Sequence, residues 1–237
     1  MVKIYVDAWG YMRRFWWGLL AVALILEVLP LFLKGSHIGG ELAAGCLVAY
    51  GMHRFFLFGE GTAYWKKDPS ARKPTIGRFM GASLLIAGLV LVAIGILAVR
   101  LVGEGTSEGA MFLVFLTTYA ILPYVTLILF GTALPASAAG DRFGPGPSLR
   151  RAGKTAGPIA GGLLVGPGLF GLMIFFGYLL PIARLDIPES RTGTIFAISV
   201  GSRMIGFFLT ALTVAVLCRA YRKVAPAEIG LQPVPQA

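Results

Sequence analysis

FMGASLLIAGLVLVAIGILAV, residues 79–99, is a run of 21 residues without a charged or histidine side chain. A run of about 18 or more apolar residues is typical of a helix that crosses a lipid bilayer. Two further stretches, residues 109–140 and 155–183, also lack Asp, Glu, Lys, Arg and His. Together these stretches predict three transmembrane helices.

The overall composition is that of a membrane protein. Of the 237 residues, 57% are hydrophobic and only 14% are charged, and the mean hydropathy is +0.78. A soluble domain carries about 25% charged residues. Three more apolar segments, each interrupted by one or two ionisable residues, bring the predicted spans to six. We therefore expect an all-α polytopic membrane protein with one six-helix domain over residues 1–223, a flexible Pro-rich tail over 224–237, and spans at about 15–33, 38–58, 79–101, 110–134, 157–182 and 193–218.

The basic residues predict the orientation. With six spans, 16 Lys and Arg residues fall on one side of the membrane and 4 on the other, and Arg203 falls within a span. Because basic loops stay on the cytoplasmic side, we expect both termini in the cytoplasm and the chain in the inner membrane. This asymmetry explains the net charge of +10 without a nucleic-acid partner. The 16 residues are Lys3, Arg13, Arg14, Arg54, Lys66, Lys67, Arg72, Lys73, Arg78, Arg142, Arg150, Arg151, Lys154, Arg219, Arg222 and Lys223, and the 4 are Lys34, Arg100, Arg184 and Arg191.

The loop between the second and third spans, GEGTAYWKKDPSARKPTIGRF (residues 59–79), places several cations beside Tyr64 and Trp65. Near an anionic leaflet, each cation contributes on the order of 1 kcal/mol to membrane binding. Alternatively, these charges only set the topology. The candidate contacts for anionic membrane lipids, including two residues of a later loop, are Lys66, Lys67, Arg72, Lys73, Arg78, Arg150 and Arg151.

Residues 109–140 are too long for one crossing. As a helix they would extend about 48 Å, whereas the hydrocarbon core is about 30 Å thick. We therefore expect the chain to bend at Pro135 and to reach the cytoplasmic surface. The turn-rich stretch GDRFGPGPS (140–148) would then break the helix before the basic segment SLRRAGK (148–154) begins.

A span that ends in LP, followed by small residues, a charged turn and SLRRAGK, resembles a segment of uncharacterised bacterial six-helix inner-membrane proteins. These are related to the membrane domain that precedes some glycerophosphodiester phosphodiesterases. The resemblance covers about residues 120–175 and includes no soluble phosphodiesterase domain. It therefore implies an accessory or lipid-associated role, and neither hydrolase activity nor a catalytic residue.

Glycine recurs every seven residues in the third span and forms two GxxxG pairs in the fifth span. Such faces allow two helix backbones to approach closely. They predict either a packed bundle or a face for a partner protein, and the sequence leaves both open. The predicted helix-packing glycines are Gly81, Gly88, Gly95, Gly157, Gly161, Gly162 and Gly166.

The sequence offers few groups for catalysis or cofactor binding. It lacks the HExxH, GxSxG and P-loop motifs, and its two histidines, His37 and His53, would lie about 24 Å apart along a helix. We therefore predict no cofactor, no metal site and no enzyme activity. Pro158, Pro167 and Pro181 could open backbone carbonyls in the fifth span, as in transporters, although prolines are common in membrane helices.

Two ionisable residues lie deep within apolar segments, Glu27 in AVALILEVLPLFL (21–33) and Arg203 in AISVGSRMIGFFLTA (197–211). An ionised group in hydrocarbon must be paired, protonated or reached by water. Their depths along the two helices differ by about 3 Å, so we predict an intramembrane ion pair. The pair could be structural or proton-linked, Glu41 is an alternative partner for Arg203, and Glu27 could instead remain protonated.

These features favour a non-enzymatic accessory, assembly or scaffold subunit of a larger membrane complex. Its expected partners are anionic lipids and other integral membrane subunits. A small transporter or lipid-handling protein is the alternative. A transporter would contain a solvent-accessible cavity near the midplane, lined by Glu27, Arg203 or Glu41.

Cysteine labelling tests the predicted orientation. Lys67→Cys and Arg151→Cys should resist a membrane-impermeant reagent added from the periplasmic side, whereas Thr106→Cys should react, because only Thr106 lies in a loop predicted to be outside. Periplasmic labelling of Lys67→Cys would reverse the orientation.

Overall fold

The computed structural model describes residues 2–32, 38–59, 75–101, 121–183 and 192–225, which are almost entirely helical, with no strand among them. Each predicted span coincides with helix wherever the structure describes it, apart from a bend in the fourth. Two π-helical turns, Leu164–Gly168 and Phe175–Leu179, interrupt the fifth. The α-helices are α1 (Val2–Phe32), α2 (Ile38–Phe58), α3 (Ile76–Leu101), α4 (Leu122–Phe130), α5 (Ala133–Ala139), α6 (Pro145–Leu163), α7 (Leu169–Ile174), α8 (Leu180–Ala183) and α9 (Thr192–Arg222).

Several of these segments are long and apolar enough to cross a membrane. Three qualify within the described residues, and a fourth crossing arises if α4 and α5, which meet at 45°, form one bent span. The described part of the chain is therefore helical, with three or four candidate membrane-spanning helices, as expected of a multi-pass membrane protein. Six spans remain a prediction, since α1 and α2 are not among the qualifying segments. These segments are Ile76–Ile96, Pro145–Ile182 and Thr192–Arg222.

The fourth predicted span bends one turn earlier than expected. The predicted position of the bend, Pro135, is wrong, because α4 ends at Phe130 and Pro135 lies within α5. Proline has no amide hydrogen, and its ring crowds the carbonyl of the residue four positions earlier, which here is Gly131. The Gly131 carbonyl oxygen instead accepts from the amide of Leu134 at 3.3 Å. The proline thus breaks the helix upstream of itself.

The fifth predicted span belongs to a longer helical run from α6 to α8, and its first π-helical turn contains Pro167. There the amide of Leu169 donates to the carbonyl oxygen of Leu164, one residue beyond the usual acceptor, Val165. The hydroxyl of Tyr5 donates to Val165 O at 2.6 Å. A side chain of α1 therefore satisfies a carbonyl that the π turn leaves open.

The described helices belong to two compact units, of which the first comprises the described residues within 1–66 and 161–216. In this unit α1 packs against α2 through aromatic side chains. The ring centroid of Tyr11 lies 5.2 Å from that of Phe55. Tyr11 is buried, so these rings form part of the core of the first unit.

The second unit comprises residues 67–160 and 217–231. Here α3 packs against α4 and α5, and small side chains such as Ala82 and Ala136 are fully buried at the contact. Small side chains let helices approach closely. The start of α3 is tied to the end of α5, because the Thr75 hydroxyl donates to the backbone oxygen of Ala138 at 2.8 Å.

Two of the predicted packing glycines lie against another helix of the first unit. A Cβ atom at Gly162 would lie 2.7 Å from Val216 Cγ1, and one at Gly166 would lie 3.7 Å from Val216 Cγ2. At Gly81, the nearest atom to an added Cβ belongs to Phe143, 3.9 Å away. The packing role of the other four remains a prediction, since no described atom lies within 4 Å of a Cβ added at Gly88, Gly95, Gly157 or Gly161.

Gly162→Ala is expected to lower the free energy of unfolding by about 1 to 3 kcal/mol, because the added methyl group would overlap Val216. Gly161→Ala is the matched control, since it adds the same methyl group to the same helix at an exposed position. Thermal unfolding in detergent, followed by circular dichroism, measures both. Equal stability of the two variants would mean that α6 and α9 do not pack at Gly162.

Candidate functional site

Glu27, Glu41 and Arg203 form a polar triad within the first unit. Arg203 Nε donates to Glu27 Oε1, and Arg203 Nη2 donates to Glu41 Oε1 at 2.9 Å. Glu27 lies on α1, Glu41 on α2 and Arg203 on α9. The structure thus brings together the two residues that the sequence pairs by depth. It also adds the glutamate that the sequence offers only as an alternative partner.

The members of the polar triad differ in exposure. The exposed fraction of the side chain is 19% for Glu27, 27% for Arg203 and 43% for Glu41. Glu41 lies in the first turn of α2, where the helix dipole favours a negative charge. Two carboxylates around one guanidinium give a formal charge of −1 when all three are ionised. The triad can therefore join three helices, and Glu41 is its most accessible member.

An apolar cavity of about 430 Å³ lies between α1 and α2 in the same unit. Its walls are mainly aromatic and aliphatic, including Phe15, Trp17 and Leu47, and Arg14 is the one cation among the described residues that line it. The guanidinium carbon of Arg14 lies 5.7 Å from the ring centroid of Phe55. No member of the polar triad lines this cavity, so it differs from the midplane cavity that the transporter hypothesis expects.

A second cavity, of about 260 Å³, lies in the second unit and is strongly basic. Among the described residues, four cations and one carboxylate line it, which gives a formal charge of +3. We call this cavity the basic groove. Its lining residues are Asp141, Arg142, Pro147, Arg150, Arg151, Lys154 and Val224.

The end of α5 positions Asp141 at the basic groove. Gly140 has a φ of 80°, a left-handed conformation that favours glycine. Its amide donates to Ser137 O at 3.2 Å, and the amide of Asp141 donates to Ala136 O at 2.9 Å, which is the Schellman arrangement of a helix C-terminus. Arg78 Nη1 also donates to Gly140 O, at 3.0 Å. The backbone that carries Asp141 is therefore fixed from both sides.

The carboxylate of Asp141 accepts three hydrogen bonds. Its Oδ1 accepts from the amide of Arg142 at 2.6 Å, and its Oδ2 accepts from Arg151 Nη2 at 2.6 Å and from the Tyr221 hydroxyl at 2.8 Å. Tyr221 is fully buried, and its ring centroid lies 5.5 Å from the guanidinium carbon of Arg151. Arg151 is thus held by a carboxylate and an aromatic ring together.

The other three cations of the basic groove are exposed, and none has an ion pair among the described residues. Arg150 and Lys154 are four residues apart on α6, and Arg151 is three residues before Lys154. This spacing places all three on one helix face. Arg142 lies in the turn before α6, so two segments of the chain contribute positive charge to the basic groove.

The predicted lipid-contact residues have different surroundings. Arg150 is exposed at the basic groove, Arg151 is held by Asp141, and Arg78 donates to the end of α5. The remaining four, Lys66, Lys67, Arg72 and Lys73, lie outside the described residues.

Sequence reasoning missed Asp141 and Tyr221. An alanine-rich helix end followed by Gly140 is a recognisable stop pattern and could have located the turn that carries Asp141. Tyr221 is 80 residues further along the chain, and no local pattern marks it as a partner.

Comparison of the chain with known protein families, characterised proteins and solved structures gives no match. The resemblance of residues 120–175 to bacterial inner-membrane proteins therefore remains a prediction. In the part of the chain that the structure describes, no group of three or more His, Cys, Asp or Glu is placed to hold a metal ion. Function must be inferred from the polar triad, the two cavities and the helix surfaces.

Glu27→Gln is expected to lower the free energy of unfolding by about 3 kcal/mol, the lower end of the cost of breaking a buried ion pair, since Glu27 is partly exposed. Glu41→Gln is the matched control. It removes the same charge from the same guanidinium at a more exposed position, so its cost should be about 1 kcal/mol or less. Unfolding in mixed micelles with increasing dodecyl sulfate measures both.

Replacing Glu27 with Leu and Arg203 with Met in the same chain should recover most of the stability lost in Glu27→Gln, because no buried charge is then left unpaired. A double variant as unstable as the single one would show that the two residues do not stabilise the fold as a pair.

Proposed function

We propose that the protein is a non-enzymatic accessory, assembly or scaffold subunit of a larger complex in the cytoplasmic membrane. It crosses the membrane six times, with both termini in the cytoplasm, and works without a cofactor. Its partners are other integral membrane subunits and anionic lipids. The observation that carries this proposal is the exposed apolar face of α3.

The exposed face of α3 contains the glycine stripe. At about 100° per residue, Gly81, Gly88 and Gly95 fall within a sector of about 40° on the helix surface. Leu84 and Leu91 lie beside the stripe and are each 66% exposed, and the buried Phe79 lies on the opposite side of α3. The stripe therefore faces away from the helices that α3 packs against in the second unit.

The glycines favour contact of this face with another helix over contact with lipid. Leucine or isoleucine would contact lipid tails equally well, and each glycine costs about 1 kcal/mol of helix propensity relative to alanine. What glycine provides is space for a second backbone to approach closely. Three glycines on one exposed face therefore favour docking of a transmembrane helix from a partner subunit.

Co-purification in mild detergent tests this role. The tagged protein should recover an integral membrane partner in stoichiometric amount, and Gly88→Leu should lose it because the added side chain would separate the two helices. The thermal stability of the chain itself should stay unchanged, since no described atom lies within 4 Å of a Cβ at Gly88.

Ala87→Leu is the matched control for this experiment. It adds bulk at an exposed position of the same helix, turned about 100° from Gly88, and should keep the partner. Recovery of the partner with Gly88→Leu, or of no membrane protein with the unmodified chain, would contradict the accessory role.

Lipid handling is the second candidate, and the apolar cavity between α1 and α2 favours it. Its volume of about 430 Å³ lies within the roughly 300 to 1,000 Å³ of small-molecule sites. The apolar walls suit part of an acyl chain, and Arg14 suits an anionic headgroup. A lipid-handling protein, unlike an accessory subunit, would exchange lipid between vesicles without any partner.

A further inference from the structure

The basic groove holds more positive charge than the described residues compensate. Asp141 is the single carboxylate among the described lining residues, and Arg151 already occupies one oxygen of that carboxylate at 2.6 Å. Arg142, Arg150 and Lys154 then surround a cavity of about 260 Å³ without a counter-charge. Like charges that meet in a cleft raise the local positive potential and attract anions.

Arg151 is held in place for ligand binding. Its Nη2 donates to Asp141 Oδ2 and to the carbonyl oxygen of Arg142 at 2.8 Å, so the plane of the guanidinium is set before any ligand arrives. Its Nη1 is buried and has no hydrogen-bond partner among the described residues. A buried donor without a partner costs free energy, and a guanidinium matches the geometry of phosphate oxygens.

The size and place of the basic groove limit what it can bind. Its volume is just below the roughly 300 Å³ at which drug-sized sites begin, so it suits a small polar group. The groove lies at the polar end of the helical segment Pro145–Ile182, whose 38 residues span about 57 Å and exceed the roughly 30 Å hydrocarbon core. That end therefore extends beyond the hydrocarbon, where lipid headgroups and dissolved anions are found.

We infer that the basic groove is a binding site for a phosphate group, carried by the headgroup of an anionic lipid or free in solution. Arg150 and Lys154 supply charge and hydrogen bonds from α6, Arg142 supplies them from the preceding turn, and Arg151 adds a guanidinium that the chain holds in a fixed orientation. The site depends on contacts within the second unit alone. A test of this site is therefore independent of a test of the docking role proposed for α3.

Two probes test the site on the full chain in mild detergent. Inorganic phosphate is titrated by calorimetry, and retention of phosphatidic acid against phosphatidylcholine is counted by native mass spectrometry. The unmodified chain should bind at least one probe. The double variant Arg150→Gln with Lys154→Gln should weaken that binding about tenfold or more, because it removes two charged hydrogen-bond donors.

Two control variants keep the experiment decisive. Lys3→Gln with Arg13→Gln removes the same charge from exposed positions of α1 and should change binding by about twofold or less. Arg150→Lys with Lys154→Arg keeps the charge and should keep the binding, which also excludes misfolding as the cause of a loss.

The outcomes separate the two sources of phosphate. Binding of phosphatidic acid that inorganic phosphate does not displace assigns the groove to a lipid headgroup, whereas tight binding of inorganic phosphate alone assigns it to a dissolved anion. If the groove variant and the α1 control lose binding equally, the loss reflects general surface charge, and the proposal is overturned. Absence of binding by either probe would overturn it as well.

Discussion

The guanidinium of Arg203, held by Glu27 and Glu41, ties α1, α2 and α9 together in the first unit. Charged groups in apolar helices must find partners within the chain, because hydrocarbon offers neither water nor counter-ions. A shift of one residue along α9 would turn Arg203 by about 100° and lift it by about 1.5 Å. Apolar contacts tolerate such changes by repacking, whereas a paired guanidinium does not. The triad thus sets the register in which three helices meet.

Polar backbone groups in apolar surroundings also need hydrogen-bond partners. In each unit a tyrosine hydroxyl donates to a backbone carbonyl. In the first unit the Tyr5 hydroxyl reaches the carbonyl of Val165 beside a π-helical turn, and in the second the Tyr124 hydroxyl donates to the carbonyl of Ala160 at 2.5 Å. Tyrosine suits this role because its ring is compatible with apolar surroundings and its hydroxyl supplies a donor at the tip. The π-helical turn of the fifth predicted span is therefore contacted by a hydroxyl from outside the span.

The sequence could predict whatever depends on local composition and depth. Apolar runs located the helices, and counting along them paired Glu27 with Arg203. Pro135 is a local signal for a bend, but its effect falls on the carbonyl of Gly131, one turn upstream of the predicted position. What sequence reasoning could not provide are contacts between distant segments, such as that of Tyr221 with Asp141 across 80 residues. Such contacts depend on how helices pack, which neither periodicity nor charge counting determines.

The two charged clusters differ in a way that bears on function. In the polar triad, one cation meets two carboxylates and every charged group has an opposite charge beside it. Among the described residues that line the basic groove, one carboxylate faces four cations, and that carboxylate already accepts three hydrogen bonds. Charges that each have an opposite charge beside them can be explained by folding alone, because pairing lowers the cost of burying them. Cations that lack an opposite charge at a cavity raise the local positive potential, and an external anion bound there would lower their mutual repulsion. The triad is therefore best explained as part of the architecture, and the groove as a site that a ligand completes.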